Sequence, residues 1–349
     1  MVLAIGDHPP ITRRGLNRAL LARQLLLERS TKTIPKVLEA MGGLQAQYAP
    51  SMYIGLWSRM ESFERAQLTR ALERRSVVQG TLMRTTIHLV SARDYRPFVA
   101  GFADARREWW LRTHKNVATE LEMAAAARKL RKALGSKAMR SSEIEDLLGK
   151  PIAGGVGLWI DLVRVPPSGT WERRRADIYA AADEWIGKQK VARLDGVAQL
   201  IRSYLRGFGP APIADIANWA GLKPKDITPA LDRLRLRRFR SEEGAELMDL
   251  PRAPLPDPDT PAPVRFLPTW DATLLVHARR TGILPERYRS RVFDTKTPHS
   301  VPVFIVDGEI AGSWRHEKGK IVTTPFHRLD RATTAQVRRE AEGLAEFHA

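Results

Sequence analysis

Residues 33–57 read TIPKVLEAMGGLQAQYAPSMYIGLW. An apolar-periodic segment ends in two glycines, two glutamines stand one residue apart, and Pro50 opens a second apolar segment. Pro35 suits a first helical turn and Gly42 a helix end, so KVLEAMGG reads as a short helix and SMYIGLWSRM as another. Between them Gly42, Gly43 and Pro50 predict a turn or extended backbone. On a helix, positions i and i+2 lie about 200° apart, but in extended or turn backbone Gln45 and Gln47 can point to one side. Each amide carries two donors and an acceptor. The pair can hold a water, a base edge or a sugar, or it can cap backbone groups of its own turn.

The same pattern recurs along the chain. NRALLARQLLLERS precedes KVLEAMGG, ARKLRKALGS precedes SSEIEDLLG, and VAQLIRSYLRGFG precedes PIADIANWAG. Each short helix has an apolar residue five positions before its terminal glycine: Val37 and Gly42, Ile144 and Gly149, Ile216 and Gly221. A third apolar segment follows each glycine: SMYIGLWSRM, VGLWIDLV and KPKDITPALDRLR. Strand-like runs come next in two cases, TLMRTTIHLVS and LVRVPPSGTWERR. Helix, short helix, turn, third helix and hairpin make a winged helix. That reading makes SMYIGLWSRM the recognition helix of the first unit and puts the glutamines in the turn leading into it. The expected fold is α+β, mainly α, with three tandem winged-helix units at residues 1–118, 119–190 and 191–248. A linker at 249–264 holds six prolines in sixteen residues, which no helix or central strand survives. Residues 265–349 then form a small β-barrel-like module. Asp307-Gly308 marks one hairpin turn and His316–Gly319 a second. RATTAQVRREAEGLAEF closes the chain as a helix, with Thr333 or Thr334 near its cap.

The 349 residues are 43% hydrophobic and 28% charged, the composition of a soluble globular chain. No apolar run approaches the roughly 20 residues of a membrane span. The opening MVLAIGDHPPITRRG is too short in its apolar part, and interrupted by Asp7 and Pro9, for a signal peptide. A cytoplasmic, nucleoid-associated location is expected. The absence of cysteine excludes disulfides, Fe–S clusters, thiolate zinc sites and a cysteine nucleophile. The eight histidines are scattered without helical ligand spacing, so no metal and no cofactor is expected. Lys and Arg number 57 against 39 acids, a net +18. Such a surplus points to a polyanionic partner, nucleic acid (double-stranded DNA is the partner expected) or an anionic membrane, or to an arginine-rich solvated surface.

The runs GGLQAQ, GLWSR, TLMRTTIHLV, LWIDLVRVPPSGTWERRRADIY, LPTWDATLLVHARRTGIL and VDGEIAGSW resemble the bacterial winged-helix DNA glycosylases of the AlkZ/YcaQ type. Those enzymes excise alkylated or crosslinked bases, and the likeness spans most of the chain. It implies three winged helices with a small β-barrel, and DNA repair by a monofunctional DNA glycosylase. The bond cut would be the N-glycosidic bond of an N7-alkyl purine, including one held in an interstrand crosslink. It also implies a Gln-x-Gln catalytic motif at Gln45 and Gln47. Many relatives follow the motif with an acid, where this chain has Tyr48.

Other residues admit two readings each. His88, in the first wing, can donate near the site or serve the core. Asp271 suits a helix N-cap; the likeness raises the alternative that it stands, beside Trp270, near a developing cation. Arg84 and Thr85 at a hairpin tip suit phosphate and groove contacts, as do Arg164, the Arg173, Arg174 and Arg175 run, and Arg235, Arg237 and Arg238. The alternative function is a non-catalytic winged-helix DNA-binding or regulatory protein. A regulator would usually dimerise to read a palindrome. Three units in one chain favour instead a monomer that embraces one duplex.

Overall fold

The computed structural model describes residues 9–294 and 300–349, so most of the opening stretch weighed above as a signal peptide, residues 1–8, lies outside the described residues. Helix α1 (Arg13–Arg23) begins where the Thr12 hydroxyl accepts from Gly15 N at 3.1 Å. There follow α2 (Ile34–Met41), β1 (Leu44–Gln45), α3 (Ala49–Trp57), α4 (Arg65–Glu73), β2 (Val77–Thr81) and β3 (Ile87–Ser91). β1 and β2 both lie antiparallel to β3. From α2 the order is helix, strand, helix, helix, strand, strand, with the early strand paired to the last.

The long α5 (Ala92–Thr113) leads to a second such set: α6 (Glu120–Leu134), β4 (Met139–Arg140), α7 (Ser141–Leu148), α8 (Lys150–Val156), β5 (Leu162–Arg164) and β6 (Ile178–Ala181), with β4 against β6. After α9 (Ala182–Ile186) comes a third: α10 (Arg193–Phe208), α11 (Ile213–Ala220), α12 (Pro224–Leu231), β7 (Arg237–Arg240) and β8 (Glu246–Asp249). There a single antiparallel bridge, Ala211 to Met248, replaces the early strand.

The residues of the repeated motif are structurally real. Val37, Ile144 and Ile216 are buried, and Gly42, Gly149 and Gly221 end their helices at φ 79°, 80° and 72°. The phase of the first set differs from expectation, however. In the second and third sets the glycine-ended helix follows the early strand; in the first, α2 precedes it. So α3, expected as the third helix, is the second, and α4 takes the third place. A glycine cap is a local device that carries no information about which strand will pair nearby. Long-range pairing sets the phase.

β2 also pairs with β5, matching Gln79 with Arg164 and Gly80 with Val163. The first two hairpins therefore fuse into one six-stranded sheet, ordered β1-β3-β2-β5-β6-β4. Helices α5 and α10 pack closely where Gly101 faces Gly196; a Cβ on Gly196 would lie 2.5 Å from Gly101 N. The proline-rich segment runs as irregular chain. Pro254 O accepts from Arg23 Nε and Nη2 at 3.1 and 2.9 Å, and Thr260 O from Arg18 Nε at 2.7 Å.

The C-terminal part holds β9 (Arg265–Leu267), α13 (Ala278–Thr281), α14 (Arg289–Val292), β10 (Val303–Val306), β11 (Glu309–Glu317), β12 (Lys320–Pro325) and α15 (Arg331–His348). Its strands form an antiparallel sheet in the order β12-β11-β10-β9. Among the described residues this sheet is open, with β9 and β12 at its edges, so it does not by itself close into the β-barrel-like module expected. α15 packs against both edge strands. The turns are Asp307-Gly308, at φ 45° and 84°, and Lys318-Gly319, at φ 49° and 75°. Asp330 caps α15, accepting from Thr333 N at 2.7 Å, so Thr333 stands near the cap as expected. Among the described residues no helix is long and apolar enough to cross a membrane.

One buried arginine ties these parts together. Arg59, just beyond α3, donates through Nε to Gln24 O at 3.0 Å, through Nη1 to Gly55 O at 3.0 Å and through Nη2 to Asp271 Oδ1 at 2.9 Å. Both side chains of the ion pair have 0% exposure. Arg59→Ala would strand the Asp271 carboxylate inside the protein. Removing one partner of a buried pair costs about 3–5 kcal/mol. The urea midpoint should fall accordingly with little change in slope. Arg59→Met combined with Asp271→Leu should cost less than Arg59→Ala alone, because no charge is left unpaired.

Candidate functional site

The Gln-x-Gln segment is built by a glycine. At Gly43, φ is 87° and an added Cβ would lie 2.8 Å from Val90 Cγ1 and 3.0 Å from Leu89 O. Only glycine lets the chain leave α2 and press flat against β3. Leu44 then pairs with Leu89, and Gln45 with His88. The ladder continues through Ala46 N to Ile87 O at 2.8 Å. One residue later the backbone turns away, and the Gln47 side chain substitutes for it: Oε1 accepts from Ile87 N at 3.2 Å. Leu44 and Ala46 are buried, Gln45 is half-buried and Gln47 exposed, the alternation of extended backbone. Both glutamines therefore project from one face. Gln45 ends the short strand, and Gln47 lies in the bend that leads into α3, as the turn expectation had it.

That face borders a cleft of about 350 Å³, lined also by Arg84, Thr86, Trp270, Asp271 and Phe293. Four candidates from distant parts of the chain, Gln45, Gln47, Trp270 and Asp271, thus meet at one place. Asp271 caps a short 3-10 turn, accepting from Thr273 N at 3.0 Å and Thr273 Oγ1 at 2.8 Å through the same Oδ1 that holds Arg59. Its Oδ2 is buried without a hydrogen-bond partner. Trp270 has φ 57°, an uncommon conformation for a bulky residue, and its N–H donates to Ser300 Oγ at 2.7 Å. Beyond Gln47 and Trp270 the cleft opens into a wider hollow of about 840 Å³, bordered by Tyr48, Val292, Val301 and Pro302.

His88 stands behind the cleft. It is buried, and Nδ1 lies 3.1 Å from Thr86 O, which fixes that nitrogen as a donor. Burial, with Arg84 nearby, pushes its pKa down to about 3, so the imidazole is neutral. Arg84, expected as a surface phosphate contact, is half-buried at φ 52° and donates Nη1 to Trp219 O. Burial brings its pKa down to about 10. Thr85, beside it, has φ 59°.

The other arginines divide. Arg164 is buried, donates to Thr81 Oγ1 at 3.2 and 3.3 Å and lies over the Tyr179 ring, so it is not the surface contact expected. Arg237 is likewise committed to the fold, donating to Asp249 Oδ2 at 3.0 Å and to the carbonyls of Leu250 and Ala253. Arg235 is exposed, and Arg238 pairs with Glu246 at 2.8 Å. Arg173 and Arg175 pair with Asp177 at 3.3 and 3.2 Å. Arg174 donates to Tyr48 OH at 3.0 Å, which brings the β5–β6 loop to the rim of the glutamine cleft. Sequence reading missed Arg59, Phe293 and Tyr48 as parts of the site. Only the adjacency of Tyr48 to Gln47 could have signalled one of them.

A model of the AlkZ-like DNA glycosylase family matches residues 38–347. The chain belongs to that family. The fold is similar to that of the Streptomyces sahachiroi DNA glycosylase AlkZ, with a TM-score of 0.81 over 97% of each chain at 19% sequence identity. Among curated protein sequences none matches. The family membership makes DNA the substrate class, and the glutamine cleft is the place in this fold where motif residues and buried charge coincide.

A second histidine shares the condition of His88. His277 is fully buried, stacked on Phe208 at 4.2 Å, with Nε2 2.8 Å from Ala272 O. Burial, aided by Arg280, lowers its pKa to about 3. Both imidazoles gain protons near pH 6.5 when unfolded but only near pH 3 when folded. Their contribution to stability is thus present above about pH 6.5 and is lost as pH falls through the interval. Between pH 7 and 5 each should remove about 2 kcal/mol. The buried carboxyls of Asp94 and Asp215, raised by burial, act in the opposite sense closer to the carboxylate range. Chemical denaturation at the two pH values should show a smaller loss in His277→Gln than in the wild type.

Proposed function

We propose that the chain is a monofunctional DNA glycosylase in which three winged helices grip one duplex as a monomer and Gln45 and Gln47 act on the sugar of an N7-alkylated purine nucleotide. The observation that carries this reading is the convergence of both amides with the Asp271 carboxylate in one cleft. Alkylation at N7 makes the purine cationic and a good leaving group. What remains is to hold a water at C1′ and to stabilise positive charge as the C1′–N9 bond breaks and its electron pair leaves with the base. The Gln47 carbonyl, fixed by Ile87 N–H, keeps a second lone pair for a water. The unbonded Oδ2 of Asp271 adds negative potential at the cleft. Among the described lining residues there is no lysine to form an imine with C1′, which favours hydrolysis. The adjoining hollow leaves room for a bulky alkyl group or the tether of a crosslink.

If the glutamines act on the chemical step, Gln45→Ala or Gln47→Ala should slow release of N7-methylguanine while leaving duplex affinity nearly unchanged. Loss of one well-placed polar group commonly costs about 10²–10³ in rate, and a cationic leaving group lowers the figure. Gln47→Glu should retain more activity than Gln47→Ala, since a carboxylate also stabilises the cation. Single-turnover base release beside equilibrium binding separates the two effects. Unchanged release in all three variants would make the glutamines structural.

The exposed arginines should act on binding alone. Arg174→Ala with Arg175→Ala should weaken damaged and undamaged duplexes by similar factors and reduce the slope of log affinity against log salt by about 0.9 per phosphate contact removed. A salt titration of both duplexes tests this. An effect confined to damaged DNA would assign these residues to the lesion pocket.

A further inference from the structure

A second chamber lies across Arg84 from the glutamine cleft. It has about 360 Å³ and is walled by Phe102, Trp109, Leu222, Arg112, Lys223 and Glu108 together with Arg84 and Thr85. That size falls at the lower end of the roughly 300–1,000 Å³ typical of ligand pockets. Arg84 borders both spaces, so the β2–β3 tip forms the partition between them. Two successive non-glycine residues with positive φ, Arg84 and Thr85, hold that tip. Such strain in a β-branched residue persists only where surrounding structure enforces it, and it clusters at functional sites.

The lining combines a flat aromatic surface with positive charge. Trp109 is 41% exposed, unusual for so large an apolar residue here. Arg112 and Lys223 contribute cations, and Asp226 is already engaged by the backbone of Lys223 and by Arg193. A purely apolar ligand would leave the cations unanswered, and a bare phosphate would leave Trp109 and Phe102 unused. A nucleotide meets both requirements. Glu108 is an exposed acceptor at the same wall, suited to the exocyclic amino group of a base.

We infer that this chamber receives the base left unpaired on the opposite strand, a cytosine when the extruded nucleotide is a guanine. The inference rests on the glycosylase reading for the presence of a flipped nucleotide. Taking guanine out of the duplex leaves the Watson–Crick edge of its cytosine, N4 amino group included, without a partner, and an unpaired base costs less to unstack. The chamber offers Trp109 to the ring and Glu108 to the amino group. Arg112 and Lys223 face the adjoining phosphates.

The test uses the full-length protein and duplexes carrying a tetrahydrofuran abasic analogue opposite cytosine, thymine or a second abasic analogue, so no excision is required. Wild type should bind the cytosine duplex roughly tenfold more tightly than the doubly abasic one, within what one base stacked on an aromatic ring contributes. Trp109→Ala should abolish that preference, and Glu108→Gln should reduce discrimination between cytosine and thymine. Both residues are exposed, and circular dichroism with thermal melting confirms that the variants fold. In a pyrrolo-cytosine duplex, fluorescence should rise on binding wild type and be altered in Trp109→Ala. Equal affinity of the wild type for all three duplexes, or a preference untouched by Trp109→Ala, would overturn the assignment. Release of N7-methylguanine is measured separately. Absence of release with the orphan-base preference intact would defeat the glycosylase reading and leave the chamber's ligand in place.

Discussion

The buried pair of Arg59 and Asp271 is the constraint on which the site depends. Neither side chain reaches water, so neither charge can lose its partner without a large desolvation cost. Arg59 also closes the carbonyls of Gln24 and Gly55, which fixes the ends of α1 and α3 relative to each other. Asp271 follows β9 and Trp270. The pair therefore brings the C-terminal module against the helical sets and makes it the far wall of the glutamine cleft. Ser58, the neighbour of Arg59, donates to Phe266 O in β9 and reinforces the same seam. A strand of two residues such as β1 has little stability of its own; it is held in register because both its flanks are.

Local features of this site were legible in the sequence. The glycines and proline around Gln45 and Gln47 predicted non-helical backbone, and the structure has it. Asp271 read as a cap and is one. What failed were inferences about phase and partners. The glycine-ended helix at Val37 and Gly42 matches the other two in local chemistry, yet its place relative to the early strand depends on β1 finding β3 more than forty residues away. Nothing within α2 encodes that pairing. The open C-terminal sheet is a similar case. Alternation and turn signals fix strands and hairpins, whereas closure into a barrel depends on whether two edge strands meet.

The arginines show a second limit. Arg18, Arg23, Arg59, Arg164 and Arg237 all read from sequence as members of a basic surplus, but the fold consumes them. Four of the five close backbone carbonyls, for which the planar five-donor fork of arginine is better suited than a lysine ammonium. In the Arg237 case a single buried carboxylate, Asp249, serves two arginines at once. A chain of net +18 thus spends part of its cationic inventory on internal joints. The electrostatic argument for DNA rests on the exposed remainder, such as Arg174, Arg175 and Arg235.

The chemistry of the cleft follows from what its charged groups are already doing. Of the titratable side chains lining it among the described residues, Asp271 is engaged with Arg59 and Arg84 with the Trp219 carbonyl. His88 lies behind, neutral, with its Nδ1 proton directed at Thr86 O. No acid is therefore aimed to protonate a departing base, and the amides of Gln45 and Gln47 cannot serve as one. Hydrolysis of an undamaged purine nucleotide requires that help; hydrolysis of a base already made cationic does not. On the proposed reading, neutral amides over a buried carboxylate would confer selectivity by omission. The lesion would then supply the leaving-group activation, and the protein position and a field. An added acid would bring little to a base already cationic and would put intact purines at risk.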